Sequence, residues 1–191
     1  MECGNYPASY SGRREYLRRL AKRMGFPTEH VKYCNKKIFI EIGGETISVN
    51  GRIYYRWSLG APDKIEVYPE AFNYDDRVEF TLAHEVAHHK QKELYYKDYW
   101  MDFFILNNDS FQDLSNNADF FPNTAAYWRG WKLGTNDLST AVMEGIADIS
   151  GLDYIGHINK VPLIWLNLYN TINQDYTRLI DLHRGVAWLN D

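Results

Sequence analysis

The 191-residue chain reads as a single α+β domain. Three observations carry that reading. A helical pattern with one apolar side covers Ser11 to Met24. A run of short strands separated by glycine turns covers Lys36 to Val67, and two largely apolar helices follow, around 77–90 and 138–155. The sheet is therefore expected to be small and mostly antiparallel, with helices before and after it.

The first helix places Tyr16, Leu17, Leu20, Ala21 and Met24 on one side, and Arg13, Arg14, Arg18, Arg19, Lys22 and Arg23 around the rest. Its basic residues read as the solvated face of a helix packed on the sheet. Gly25 and Pro27 stop it. The strands follow as Ile38 to Ile42, Thr46 to Val49, Ile53 to Trp57 and Lys64 to Tyr68. Gly43-Gly44 and Asn50-Gly51 stand between them as hairpin signals, so a four-stranded antiparallel meander is predicted. Its last strand, closed by Pro69, is expected to be an edge whose unpaired backbone can hold an extended peptide.

The next helix begins near Asp76, which has capping-box spacing to Glu79. Phe80, Ala83 and Ala87 form one apolar stripe and Leu82 and Val86 another, while Arg77 and Lys90 fall outside both. Residues 94–134 form an aromatic-rich insertion, and Thr135 or Asn136 can cap the helix that runs from Leu138 to Ile155. C-terminal helices are expected to complete the domain.

Composition narrows the function. A formal charge of -4 gives no support to nucleic acid as a partner. No run of 18 apolar residues and no apolar leader segment occurs in the sequence, so neither membrane insertion nor secretion is indicated and a cytoplasmic setting is expected. Cys3 and Cys34 are the two cysteines; without a C-x-x-C pair they offer no thiolate zinc site.

Chemistry concentrates in Arg77 to Lys90, RVEFTLAHEVAHHK. His84 and His88 are four residues apart, so a helix puts both imidazoles on one face where they can hold one Zn2+ ion. Glu85 stands beside them. From there a carboxylate can take a proton from a metal-bound water during attack on a carbonyl and return it to the leaving nitrogen, which is zinc peptidase chemistry. Downstream, Glu144 and Asp148 lie one turn apart among Ala141, Val142, Met143, Ile146, Ala147 and Ile149. Two acids on a mostly apolar helix make sense as a third zinc ligand, Glu144, and a carboxylate, Asp148, that holds a ligand histidine. Two histidines and one carboxylate leave a coordination position open, as catalytic zinc sites do.

H-E-x-x-H followed on a later helix by E-x-x-x-D resembles the gluzincin metallopeptidases, the clan of thermolysin and neprilysin. His84, Glu85, His88, Glu144 and Asp148 match that pattern, and E-G-I-A-D-I-S-G-L resembles its neprilysin-type form. F-T-L-A-H-E-V-A-H-H is also similar to the small ImmA/IrrE-type peptidases, whose glutamate helix continues toward A-N rather than toward an aspartate. The resemblance covers about half of the chain. It implies a minimal zincin-like fold, hydrolysis of a peptide or protein substrate, and a histidine or tyrosine that stabilises the oxyanion. His183 is the preferred candidate for that role, with His157 and Tyr154 as alternatives.

Other zinc-peptidase patterns fit less well. Gln91 and Leu94 replace the glycine and histidine of the metzincin extension. Gly134 to Asp137 copies the first half of the aspzincin segment, but Thr140 and Ala141 stand where that segment has tyrosine and glycine. Asp137 therefore remains as a second candidate ligand. A non-catalytic protein that uses the same fold and zinc for binding is the alternative function, although a purely structural site has no need of Glu85.

Overall fold

A computed structural model describes residues 6–42, 44–55, 63–91, 130, 133–135 and 138–157, and it has a mixed α+β architecture. Helix α1 (Tyr10–Arg23) opens at Ser9, whose hydroxyl accepts the Gly12 N–H at 3.1 Å. It stops before Gly25, whose φ of 68° suits a residue without Cβ. Leu17, Leu20, Ala21 and Met24 are fully buried, as the periodicity predicts. Arg13 is drawn into packing: it donates to Pro7 O at 3.0 Å and to the Tyr33 hydroxyl at 2.6 Å, and lies over the Phe72 ring. Arg14, Arg18, Arg19, Lys22 and Arg23 stay exposed.

Five strands follow: β1 (Val31–Tyr33), β2 (Phe39–Ile42), β3 (Glu45–Ser48), β4 (Gly51–Tyr54) and β5 (Lys64–Val67). They do not make the predicted meander. β2 and β3 pair only with each other, while β1, β5 and β4 form a second sheet with β5 in the centre. β5 runs parallel to β1, with Val31 opposite Ile65, and antiparallel to β4, with Ile53 opposite Ile65. The break comes at Val49 and Asn50. Val49 N–H donates to Ile38 O and closes the hairpin, whereas Asn50 O accepts from Tyr68 N–H and already belongs to the other sheet. Asn50-Gly51 is thus a crossing between sheets and not a hairpin turn.

β5 therefore has partners on both sides and cannot be the expected edge. Among the described residues β4 is the edge strand next to the following helix. Ile65 and Val67 point into the core and are fully buried, each worth about 1.5–3 kcal/mol relative to exposure.

A 3-10 turn over Pro69–Asn73 leads into helix α2 (Arg77–Gln91). Asp76 precedes it in the left-handed region, with φ of 59°, where an N-cap is ordinarily extended. Glu79 does not complete the predicted capping box. Its carboxylate accepts the hydroxyls of Tyr6, at 2.5 Å, and Tyr16, and so ties the N-terminal segment and α1 to the first turn of α2. Val78, Leu82, Ala83 and Val86 pack into one core with α1, Ile65 and Val67. Lys90, expected outside the apolar stripes, is buried, and burial pushes its amine down to about 7.

Helix α3 (Leu138–Tyr154) packs along α2. Thr135 donates its hydroxyl to Gly130 O at 3.0 Å and so serves the segment before α3. At Gly151 a Cβ would lie 2.7 Å and 2.8 Å from Phe80 ring carbons and 3.0 Å from the Phe80 carbonyl. The steric cost of Gly151→Ala, about 1–3 kcal/mol, exceeds the ~0.5–1 kcal/mol that alanine gains in a helix. Thermal melting is expected to show a midpoint lower by about 2–5 °C, and an unchanged midpoint would mean that Gly151 does not set the α2–α3 spacing. No helix among the described residues is long and apolar enough to cross a membrane.

Candidate metal centre

α2 turns one face to the sheet and α1 and the other to α3, and the polar residues of the second face meet those of α3. His84 Nε2 and His88 Nε2 are 3.0 Å apart. Glu144 reaches both: Oε2 lies 3.3 Å from His84 Nε2, and Oε1 lies 3.4 Å from His88 Nε2. Four-coordinate zinc with bonds near 2.0–2.1 Å separates neighbouring ligand atoms by about 3.3 Å. The two imidazole nitrogens and the two oxygens of the one carboxylate thus lie at about the spacing that ligands of a single ion have, within 4.8 Å of one another when one atom is taken from each residue. They form the three-residue group able to hold a metal ion found among the described residues.

His84 Nδ1 lies 2.9 Å from Asp148 Oδ1, and the Asp148 side chain is fully buried. One turn of α3 thus supplies both carboxylates, Glu144 in front of the histidines and Asp148 behind His84. A proton on Nδ1, beside the Asp148 charge, leaves the Nε2 lone pair of His84 facing the centre.

Glu85 is buried on the strand side of the site. Burial pushes its carboxyl up, while His84, His88 and the backbone of Ile53 in β4 partly offset this by favouring the charged form. β4 comes very close here: a Cβ on Gly51 would lie 2.5 Å from Thr81 Cγ2 and 3.3 Å from both Cγ and Oε1 of Glu85. Tyr55, just beyond the strand, donates its hydroxyl to the His88 carbonyl at 3.4 Å.

No family model, curated protein or solved structure matches this chain.

The structure brings together His84, Glu85, His88, Glu144 and Asp148. His183 and Asp137 lie outside the described residues, as does nearly all of 94–134. Tyr154 packs against the core built on α1, ten residues beyond Glu144, which is about 15 Å along a helix. His157 follows the end of α3, its N–H bonded to Leu152 O. Sequence reasoning missed Gly51 and Ile53. A glycine inside a strand pattern is the available signal, since it marks a bulge or a close backbone approach, but it was absorbed into the Asn-Gly turn reading.

Proton affinity in the metal-free site follows from these neighbours. Burial opposes charge on His84, but Asp148 and Glu144 outweigh it and raise its pKa well above the usual value of 6.5. Burial likewise opposes charge on His88, and Glu144 raises it. Burial would raise Glu144, but the charges of His88 and His84 hold it far below 4.5. The stability from a raised histidine is fully present below about 6.5 and is lost as pH rises through its folded value. That from Glu144 is present above about 4.5 and is lost as pH falls through its folded value. The contribution of these three groups to the metal-free fold is therefore expected to be greatest between roughly pH 4.5 and 6.5 and to fall above that range, partly offset from about pH 7 by buried Lys90, whose neutral form the fold favours. Zinc needs neutral imidazoles, so its affinity should rise with pH and its addition should stabilise most in the alkaline range. Melting curves with and without zinc across pH 5 to 9 check this, and a zinc-induced shift that shrinks as pH rises would contradict it.

Proposed function

We propose that this protein is a zinc-dependent peptidase of gluzincin type, with a zincin-like fold, that hydrolyses peptide bonds in an extended peptide or protein substrate. One observation carries the reading: a buried carboxylate, Glu85, stands between an edge strand and three converging ligand atoms, with a further carboxylate behind one of them. A site that held metal only for stability would be closed, and Glu85 would serve no purpose.

His84, His88 and Glu144 would hold the ion. When bound, zinc supplies a Lewis acid that polarises a carbonyl and makes a coordinated water acidic near neutral pH. Glu85, made more basic by burial, takes the proton of the attacking water and returns it to the leaving amine. Asp148 keeps His84 in the tautomer that binds metal. The packed helices exclude bulk water from the back of the site.

β4 offers the substrate a line of backbone groups. Asn50 O accepts across the β4–β5 pair, so residues 50, 52 and 54 face β5 and residues 51 and 53 face the open edge. An extended peptide can pair there, beside Glu85. A peptide analogue ending in a hydroxamate is expected to lie along Gly51–Tyr54 in a co-crystal, and a pose away from β4 would reject this placement. The function itself is tested by measuring the metal content of the purified protein and its cleavage of a peptide library by mass spectrometry. Cleavage that stops with a chelator and returns with zinc supports the proposal. Stoichiometric zinc with no cleavage of peptides or unfolded proteins rejects it in favour of a non-catalytic zinc protein.

A further inference from the structure

The proposed mechanism asks Glu85 to move a proton at one defined place, yet a glutamate has three rotatable bonds. Something must hold its carboxylate. α2 carries Glu85 toward β4, and β4 meets it with backbone alone. Any side chain at position 51 would intrude, since the nearest atoms to a Cβ are Thr81 Cγ2 at 2.5 Å and Glu85 Cγ and Oε1 at 3.3 Å. Two residues on, the backbone of Ile53 approaches the same carboxylate and favours its charged form. The strand alternation points the groups of Ile53 to the open edge and leaves its N–H available without loss of a β5 partner.

We propose that Gly51 is a positioning residue for Glu85: its missing side chain lets β4 close onto α2, so that the Ile53 N–H holds the Glu85 carboxylate in one orientation beside the metal centre. This deepens the peptidase reading and rests on it for its catalytic meaning. A glycine kept only for packing would affect stability; a glycine that positions a general base affects turnover. The hydrogen bond also uses one of the two N–H groups on the open edge, so an extended substrate pairing at Ile53 has the carbonyl to accept its N–H.

Two measurements test the proposal. Amide exchange of Ile53 is read in the metal-free and zinc-loaded protein and in Glu85→Ala. Slow exchange that accelerates about tenfold or more in Glu85→Ala is expected, because a hydrogen bond to a carboxylate is among the stronger ones. Exchange indifferent to Glu85→Ala in a folded protein overturns the proposal whether or not any peptide is cleaved. The second measurement compares Thr81→Ala with the Gly51→Ala, Thr81→Ala double variant, in which the closest clash is removed and the crowding of Glu85 remains. The double variant is expected to bind zinc as Thr81→Ala does and to keep KM within about twofold. Its kcat should fall about 100-fold, the scale of a misplaced catalytic group. Turnover equal to that of Thr81→Ala overturns the positioning role. If the zinc-loaded wild type cleaves nothing, the peptidase reading fails, and the Ile53 exchange still decides whether Gly51 and Ile53 clamp the carboxylate.

Discussion

Glu144→Ala is expected to abolish stoichiometric zinc binding at nanomolar free metal, while Asp148→Ala weakens affinity or activity by only about 10–100-fold. The two residues sit one turn apart on α3 but on different sides of the histidines. Glu144 lies against both Nε2 atoms, at 3.3 Å and 3.4 Å, so its loss removes one of three ligands. Asp148 touches only Nδ1 of His84, at 2.9 Å, so its loss leaves three ligands and releases the orientation of one ring. Each substitution also removes an acid, half-buried at Glu144 and fully buried at Asp148, that partners a buried histidine, and leaving a buried charge unpaired costs several kcal/mol. Melting curves must therefore accompany the metal titrations. Retained stoichiometric zinc in Glu144→Ala, with loss in Asp137→Ala instead, would reject this ligand set and favour Asp137.

Glu85→Gln is expected to keep the metal and lose about 100- to 10,000-fold in turnover. Glutamine has the size of glutamate and can accept the Ile53 N–H through its amide oxygen, so the fold and the strand contact should survive. It cannot take a proton at neutral pH. Because Glu85 is not among the three converging ligand atoms, zinc content should stay at one per chain. Near-normal cleavage by this variant would remove Glu85 from the mechanism and leave its burial beside the histidines without a chemical role. With the loss confirmed, the variant would serve to trap substrate for identification.

The site was more legible than the sheet. His84 and His88, and Glu144 and Asp148, are each four residues apart on helices that the apolar pattern marks clearly, and 3.6-residue periodicity fixes which face such pairs share. The sheet fails at its pairings. β1 has only three residues, and its partner β5 lies 34 positions on at Val31–Ile65, beyond any local signal. Turn chemistry at Asn50-Gly51 favoured a hairpin, but tertiary contact overrode it: Gly51 is there because α2 leaves no room for a side chain. Which strand forms the edge depends on those long-range pairings, so the edge moved from β5 to β4. Glu79 went the same way, from a capping partner to an acceptor for two distant tyrosines.

The division of the proposed ligands between α2 and α3 would tie two equilibria together. His84 and His88 belong to a helix embedded in the α1–sheet core, and Glu144 arrives 56 residues after His88 on a helix that joins α2 from its other side. In the proposed centre, metal would be held tightly only while the two helices are docked in register. Whatever displaces α3 must then lower zinc affinity, and zinc must oppose that displacement by the same factor, since coupling between two binding free energies is reciprocal. A ligand or partner chain that prefers one placement of α3 would consequently read the metal state of the protein, with no contact to the ion.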